Sequence, residues 1–197
     1  MLTVTSVATA NENRGPTESA IARLKAWESS LSKSLNCVAN FMTQNQDATR
    51  TVAIRLVMPE DTEDLRNRKL DDQTYVTQPL KEQILLVQNN VFGCLEKNFP
   101  VTNASAQGRV TVDGLIRSGN NVVDLLNGRI TFGEFNKRKY TLDRENETRD
   151  VKCTMDELVL GEATRPECQF TVVDPQVKYP PEKAACYRIG FTIRCSE

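Results

Sequence analysis

The residues with the most distinctive chemistry are six cysteines: Cys37, Cys94, Cys153, Cys168, Cys186 and Cys195. A thiol can serve as a nucleophile, a zinc ligand or half of a disulfide. The chain has no histidine, which removes mixed Cys/His zinc sites and every Cys–His or Ser–His–Asp arrangement. No two cysteines stand as Cys-x-x-Cys. Six is an even number, and four of the six fall between 153 and 195. That density predicts a disulfide framework and an oxidising compartment, periplasmic or secreted.

Carboxylates are the next resource. Glycoside hydrolysis needs only two Asp or Glu side chains, so a carboxylate-dependent hydrolase acting on a sugar or cell-wall polymer is compatible with a chain lacking histidine. No particular pair of the 26 acids is singled out. Aromatic content is 6% with a single tryptophan, a thin supply for a sugar-stacking cleft. The stretch from Asn127 to Phe135 resembles the second half of an EF-hand calcium loop. Gly128 stands at the turn, Ile130 at the apolar position and Glu134 at the bidentate carboxylate. The resemblance implies calcium binding through Asn127 and Glu134. Calcium takes six to eight oxygens, yet the first two ligand positions hold Val123 and Leu125. Ser30-Leu31-Ser32-Lys33 matches Ser-x-x-Lys, but the Lys-Thr-Gly and Ser-Asp-Asn partners of that chemistry are absent. Nothing calls for a cofactor: no phosphate-binding or dinucleotide glycine pattern occurs.

The elements that would position these residues are mostly helical. Thr17 is a predicted N-cap with Glu18 in the first turn. Ile21, Leu24, Trp27, Leu31, Leu35, Val38 and Phe41/Met42 then make a long apolar stripe on a helix of about 25 residues. Trp27 and Leu31, at its middle, are the candidate interaction residues. Pro79 opens a second long helix with Leu80, Ile84, Val87, Val91 and Cys94 on one face. Cys37 and Cys94 are each the only cysteine of their helix, and packing of the two helices predicts a Cys37–Cys94 bridge.

Residues 112–144 read as a helical hairpin. Val112, Leu115, Ile116, Val122, Val123 and Leu126 share a face, Asn127-Gly128 ends the first arm, and Thr131-x-x-Glu134 is a capping box for the second. This competes directly with the calcium reading of the same residues. Two sequons, Asn103-Ala104-Ser105 and Asn146-Glu147-Thr148, are glycosylation acceptors only in a eukaryotic setting.

Strand character is predicted in three places. Val52, Ile54, Leu56 and Met58 alternate with other residues up to Pro59. Residues 168–172 alternate in the same way. Residues 186–195 read as one strand, with an apolar face and a basic face bearing Arg188 and Arg194. On one continuous strand Cys186 and Cys195 would lie roughly 30 Å apart, far beyond the ~7 Å a bridge allows. Each is therefore expected to join one of Cys153 and Cys168. The acid- and base-rich stretch 60–73 reads as a solvated linker.

The expected architecture is α+β: long amphipathic helices and a helical hairpin packed with a small antiparallel sheet, stabilised by disulfides. Residues 1–16 are expected to form an extended arm, 17–150 a mainly helical region with one strand near 50–58, and 151–197 a cysteine-rich β region packed in the same domain. A net charge of −1 offers no general attraction to nucleic acid. No apolar run approaches the ~20 residues of an integral membrane segment. The expected function is that of a non-catalytic exported protein that binds another protein, or copies of itself, in a larger assembly. The alternatives are the carboxylate hydrolase and a calcium-dependent module.

Overall fold

The computed structural model describes residues 17–58, 60–98, 105–169 and 186–195. The predicted arm at 1–16, the sequon at Asn103 and most of the expected strand at 168–172 lie outside them. The order of elements is α1 (Glu18–Gln44), α2 (Gln46–Arg55), α3 (Glu63–Leu70), α4 (Gln78–Asn98), α5 (Ala106–Leu126), α6 (Phe132–Leu160), a 3-10 turn (Pro166–Cys168), β1 (Cys186–Ile189) and β2 (Thr192–Cys195). This is an α+β fold, mostly helical, with one two-stranded antiparallel sheet.

Capping signals in the sequence fix the starts of α1 and α6. The Thr17 hydroxyl accepts from the Ala20 amide, and Thr131 from Glu134. α5 ends at Asn127, and Gly128 follows with φ of 66°, a left-handed conformation that glycine adopts without steric penalty. The α5–α6 hairpin is thus present as predicted, but its second arm runs on to Leu160. α1 and α4 pack together, and Cys37–Cys94 bridges them at a Cα separation of 5.6 Å.

The main core lies where α2, α4, α5, the start of α6 and the hairpin converge. Val52, Ile84, Val122, Leu125, Leu126, Phe132, Phe135 and Ile193 are buried there. A smaller cluster around Cys153, Cys168, Ala106, Val110 and Ala163 closes the far end of the α5–α6 hairpin.

Several expectations are corrected. The 50–58 segment is no strand: its greater part belongs to α2, and it does not join the sheet, which has two strands among the described residues. Val52 is 6% exposed and Ile54 63%. Those residues would share one face of a strand but lie well apart on a helix. The local alternation is also compatible with a helix that buries Val52, leaves Ile54 outside and ends before Leu56, which packs partly buried against the same core.

Residues 60–73 are not a solvated linker throughout, because α3 lies inside them. Thr62 caps it by accepting from the Leu65 amide, acids occupy its first turn and bases its last, an order that complements the helix dipole. Lys69 is buried. Its ammonium reaches both Asp61 carboxylate oxygens at 2.9 Å and the Leu56 carbonyl at 2.6 Å. The expected strand fails at its start as well, since Cys168 ends a 3-10 turn. The β region likewise does not begin at 151, where α6 continues.

The largest correction concerns 186–195. This is a hairpin, with Cys186 opposite Cys195 and Ile189 opposite Thr192. Gly190 is first in the two-residue turn with φ of 56°, as the turn types that match strand twist require. Folding the segment back brings the Cys186 and Cys195 Cα atoms to 3.9 Å, and they form a disulfide. Cys153 and Cys168 then pair with each other at 5.5 Å. The expected basic outer face also dissolves. Arg188 is buried over Gly119 and donates to Asn120 Oδ1 and the Gly190 carbonyl.

Candidate functional site

The residues expected to do chemistry are mostly occupied in holding the fold. The Asn127 amide donates to the Cys186 carbonyl at 2.9 Å and accepts from the Cys186 N–H at 2.7 Å. Glu134 accepts from Arg138 at 2.8 Å, and Arg138 also reaches Asp124 at 3.1 Å. The structure therefore turns Asn127 toward a strand backbone and Glu134 toward a cation on its own helix. Among the described residues, no group of three or more Cys, Asp or Glu side chains is placed to hold a metal ion.

The buried carboxylates are also engaged. Asp61 is paired with Lys69. Burial would raise its pKa, but the Met58 N–H and the Lys69 ammonium together hold it below the usual carboxylate value. Glu157 accepts from Arg23 Nε and from the Ala106 N–H at the start of α5. Asp156 pairs with Arg165. Asp150, partly buried, has its pKa pushed up by desolvation, opposed by one hydrogen bond from Gln107. It lines a groove of about 430 Å³ between α5 and α6 together with Asp143 and Glu147. Among the described residues no aromatic side chain lines that groove, so they offer a sugar ring no stacking surface there.

Asn146, the acceptor of the second sequon, lies in the same groove. A Cβ placed on Gly114 would sit 2.3 Å from Asn146 Nδ2. The nitrogen that would carry a glycan thus rests against the bare backbone of α5, and a sugar there is incompatible with the α5–α6 packing.

The α1 candidates fare differently. Trp27 and Leu31 are half-buried, and within α1 only Ala20 and Ser34 are fully buried. Ile21, Leu35 and Met42 are exposed. The indole N–H of Trp27 is buried without a hydrogen-bond partner among the described residues. α1 is therefore a thinly covered helix, and its apolar stripe is shared between protein and solvent.

The most distinctive surface is one that the sequence reading did not isolate. At 100° per residue, Leu142, Cys153 and Glu157 point α6 inward, where each is buried. The opposite side carries Arg144, Thr148, Val151, Met155 and Leu158 at spacings of 4, 3, 4 and 3. That is the a/d repeat of a helix that packs along another helix. In this chain the seam faces solvent except at Leu158, which is half-buried. Val151 is 66% exposed, Met155 54% and the adjacent Val159 53%. Leu160 is exposed at the end of the same helix.

The backbone under this seam is tied down from the other sides. The Cys153–Cys168 disulfide, the Arg149–Asp113 pair, the Lys152–Glu167 pair and the Glu157 contacts all anchor α6 between 149 and 157. The Glu167 carboxyl is held below its usual pKa, chiefly by its hydrogen bond from Lys152. An ordered helix with four large apolar side chains in its last ten residues turned outward is a surface ready to exclude water with a partner. The signal was present in the 4-3 spacing. Ending the hairpin near 144 and opening a β region at 151 divides that spacing between two elements and hides it.

Searches against protein-family models, curated proteins and solved structures find no match to this chain. No described helix is long and apolar enough to cross a membrane.

Proposed function

We propose that this chain is a non-catalytic, exported protein, secreted or periplasmic, that works by binding another protein chain along the outer seam of α6. The observation that carries the reading is the outward position of Val151, Met155 and Val159 on a rigidly anchored helix. Monomeric soluble proteins scatter exposed apolar residues singly, and contiguous patches mark contact surfaces. Methionine is among the residue types enriched at such contacts. Three disulfides and no free cysteine among the described residues support export, because reduced compartments do not sustain such bonds.

The test is a photo-crosslinking residue at position 155, with the same residue at exposed Lys33 as control, in protein produced by its native source. A discrete covalent adduct at 155 and none at 33 is the expected result. No adduct at 155 in any preparation overturns the reading.

A further inference from the structure

Resting on that reading, we infer that the partner on the α6 seam is a second copy of this chain, with the two α6 helices side by side and parallel. In heptad terms Thr148 and Met155 are a positions and Val151 and Leu158 are d positions. The flanking g position before Val151 is Glu147 and the following e position is Lys152. In a parallel pair of helices, g of one chain meets e of the next heptad in the other, five residues on. Glu147 therefore meets Lys152 of the second copy, and by symmetry the contact occurs twice. An antiparallel pair sets e against e and g against g, which puts Lys152 beside Lys152 and Glu147 beside Glu147, like charges across the interface.

The local surroundings fit this register. Glu147 is exposed and has no ion pair among the described residues. Lys152 is exposed and bound to Glu167 at 2.6 Å across the e side, so its ammonium is already held beside the seam. Met155 on Met155 and Val151 on Val151 fill the centre without a buried charge. A seam of two heptads is short, and short interfaces give weak, concentration-dependent dimers.

Sedimentation of the disulfide-intact full chain across a wide concentration range is the test. The expected result is a reversible rise from 22.1 kDa toward twice that mass. Met155→Glu should lower the association constant roughly 10-fold or more. Met155 is largely exposed, so an unchanged melting curve will show that this variant folds. Glu147→Lys should weaken association by roughly 2- to 30-fold, the range of exposed ion pairs counted twice. Adding Lys152→Glu to Glu147→Lys should restore it. A strict monomer at all concentrations overturns the inference, as does a dimer indifferent to Met155→Glu. Failure to restore in the double variant overturns the parallel register. The crosslink at 155 separates this failure from that of the broader reading: an adduct heavier than one chain by some mass other than 22.1 kDa keeps protein binding and removes the second copy.

Discussion

Asn127 holds Cys186 by both of its backbone groups, taking the N–H at 2.7 Å and giving to the carbonyl at 2.9 Å. On the other strand Asn89 does the same to Ile193, at 2.8 Å for each bond. These outward bonds set the hydrogen-bonding phase of the ladder: Cys186–Cys195 and Arg188–Ile193 are the pairs that do not bond across the hairpin. A two-stranded hairpin is marginal alone and leaves two open edges. Here each edge is met by a carboxamide from a helix, which stands in for a further strand.

Asn127→Ala and Asn89→Ala should each destabilise the protein by about 1–3 kcal/mol, because each strands a buried N–H and C=O. Chemical denaturation at constant m-value measures the loss. Both side chains grip one hairpin, so the double variant should depart from the sum of the single effects.

Gly133 lies against the end of α3. A Cβ there would come within 2.6 Å of the Leu70 carbonyl oxygen and 2.7 Å of that of Asp72. These are backbone atoms and cannot rotate aside. Gly133→Ala should therefore cost about 1–3 kcal/mol through forced displacement of α3 from α6. Gly93 offers the opposite case, since nothing lies within 4 Å of its added Cβ. Gly93→Ala in the interior of α4 should stabilise by about 0.5–1 kcal/mol. Thermal melts of the two variants should shift in opposite directions.

Stability should depend on pH through groups of opposite sign. Asp61 and Asp72 have folded pKa values below their ordinary range; burial opposes this, but hydrogen bonds and the cations Lys69 and Arg55 outweigh it. Their contribution is present above the unfolded value of about 3.9 and is lost as pH falls through the lower folded values. Asp150 is raised by burial, so its ionisation opposes folding above its folded pKa and ceases to matter once it is protonated. Asp150→Asn should therefore stabilise at pH 7, and the gain should shrink as pH falls toward 3.5. A gain that grows on acidification would contradict the assignment.

The three disulfides should differ in worth. They close 57, 15 and 9 residues. Chain-entropy reasoning assigns about 4, 3 and 2.6 kcal/mol respectively. Replacing Cys37 and Cys94 by serine should therefore lower the denaturation midpoint most, and replacing Cys186 and Cys195 least, in paired-variant unfolding experiments.

Much of this was legible from local sequence. Thr17 and Thr131 announced their helices, and Asn127-Gly128 announced the turn, because capping involves residues only three or four apart. Cys37–Cys94 followed from two helix faces. The α3 cap at Thr62 is equally local, but the mixed charges around it read as a solvated stretch. Cys186–Cys195 was also encoded: the cysteines are equidistant from Gly190-Phe191, yet the unbroken alternation of apolar residues hid the turn.

The sequence by itself determined where α1, α4 and α6 start, that the cysteines pair, and that no histidine chemistry is open to this chain. These depend on residue types and short-range spacing. Only the tertiary structure decided that 50–58 coils rather than extends, that Asn89 and Asn127 take over the edges of a hairpin, and that the α6 seam faces water. Periodicity says that a helix has an apolar face. Which face is covered depends on the position of every other element, and α5 covers the side of α6 opposite Val151 and Met155.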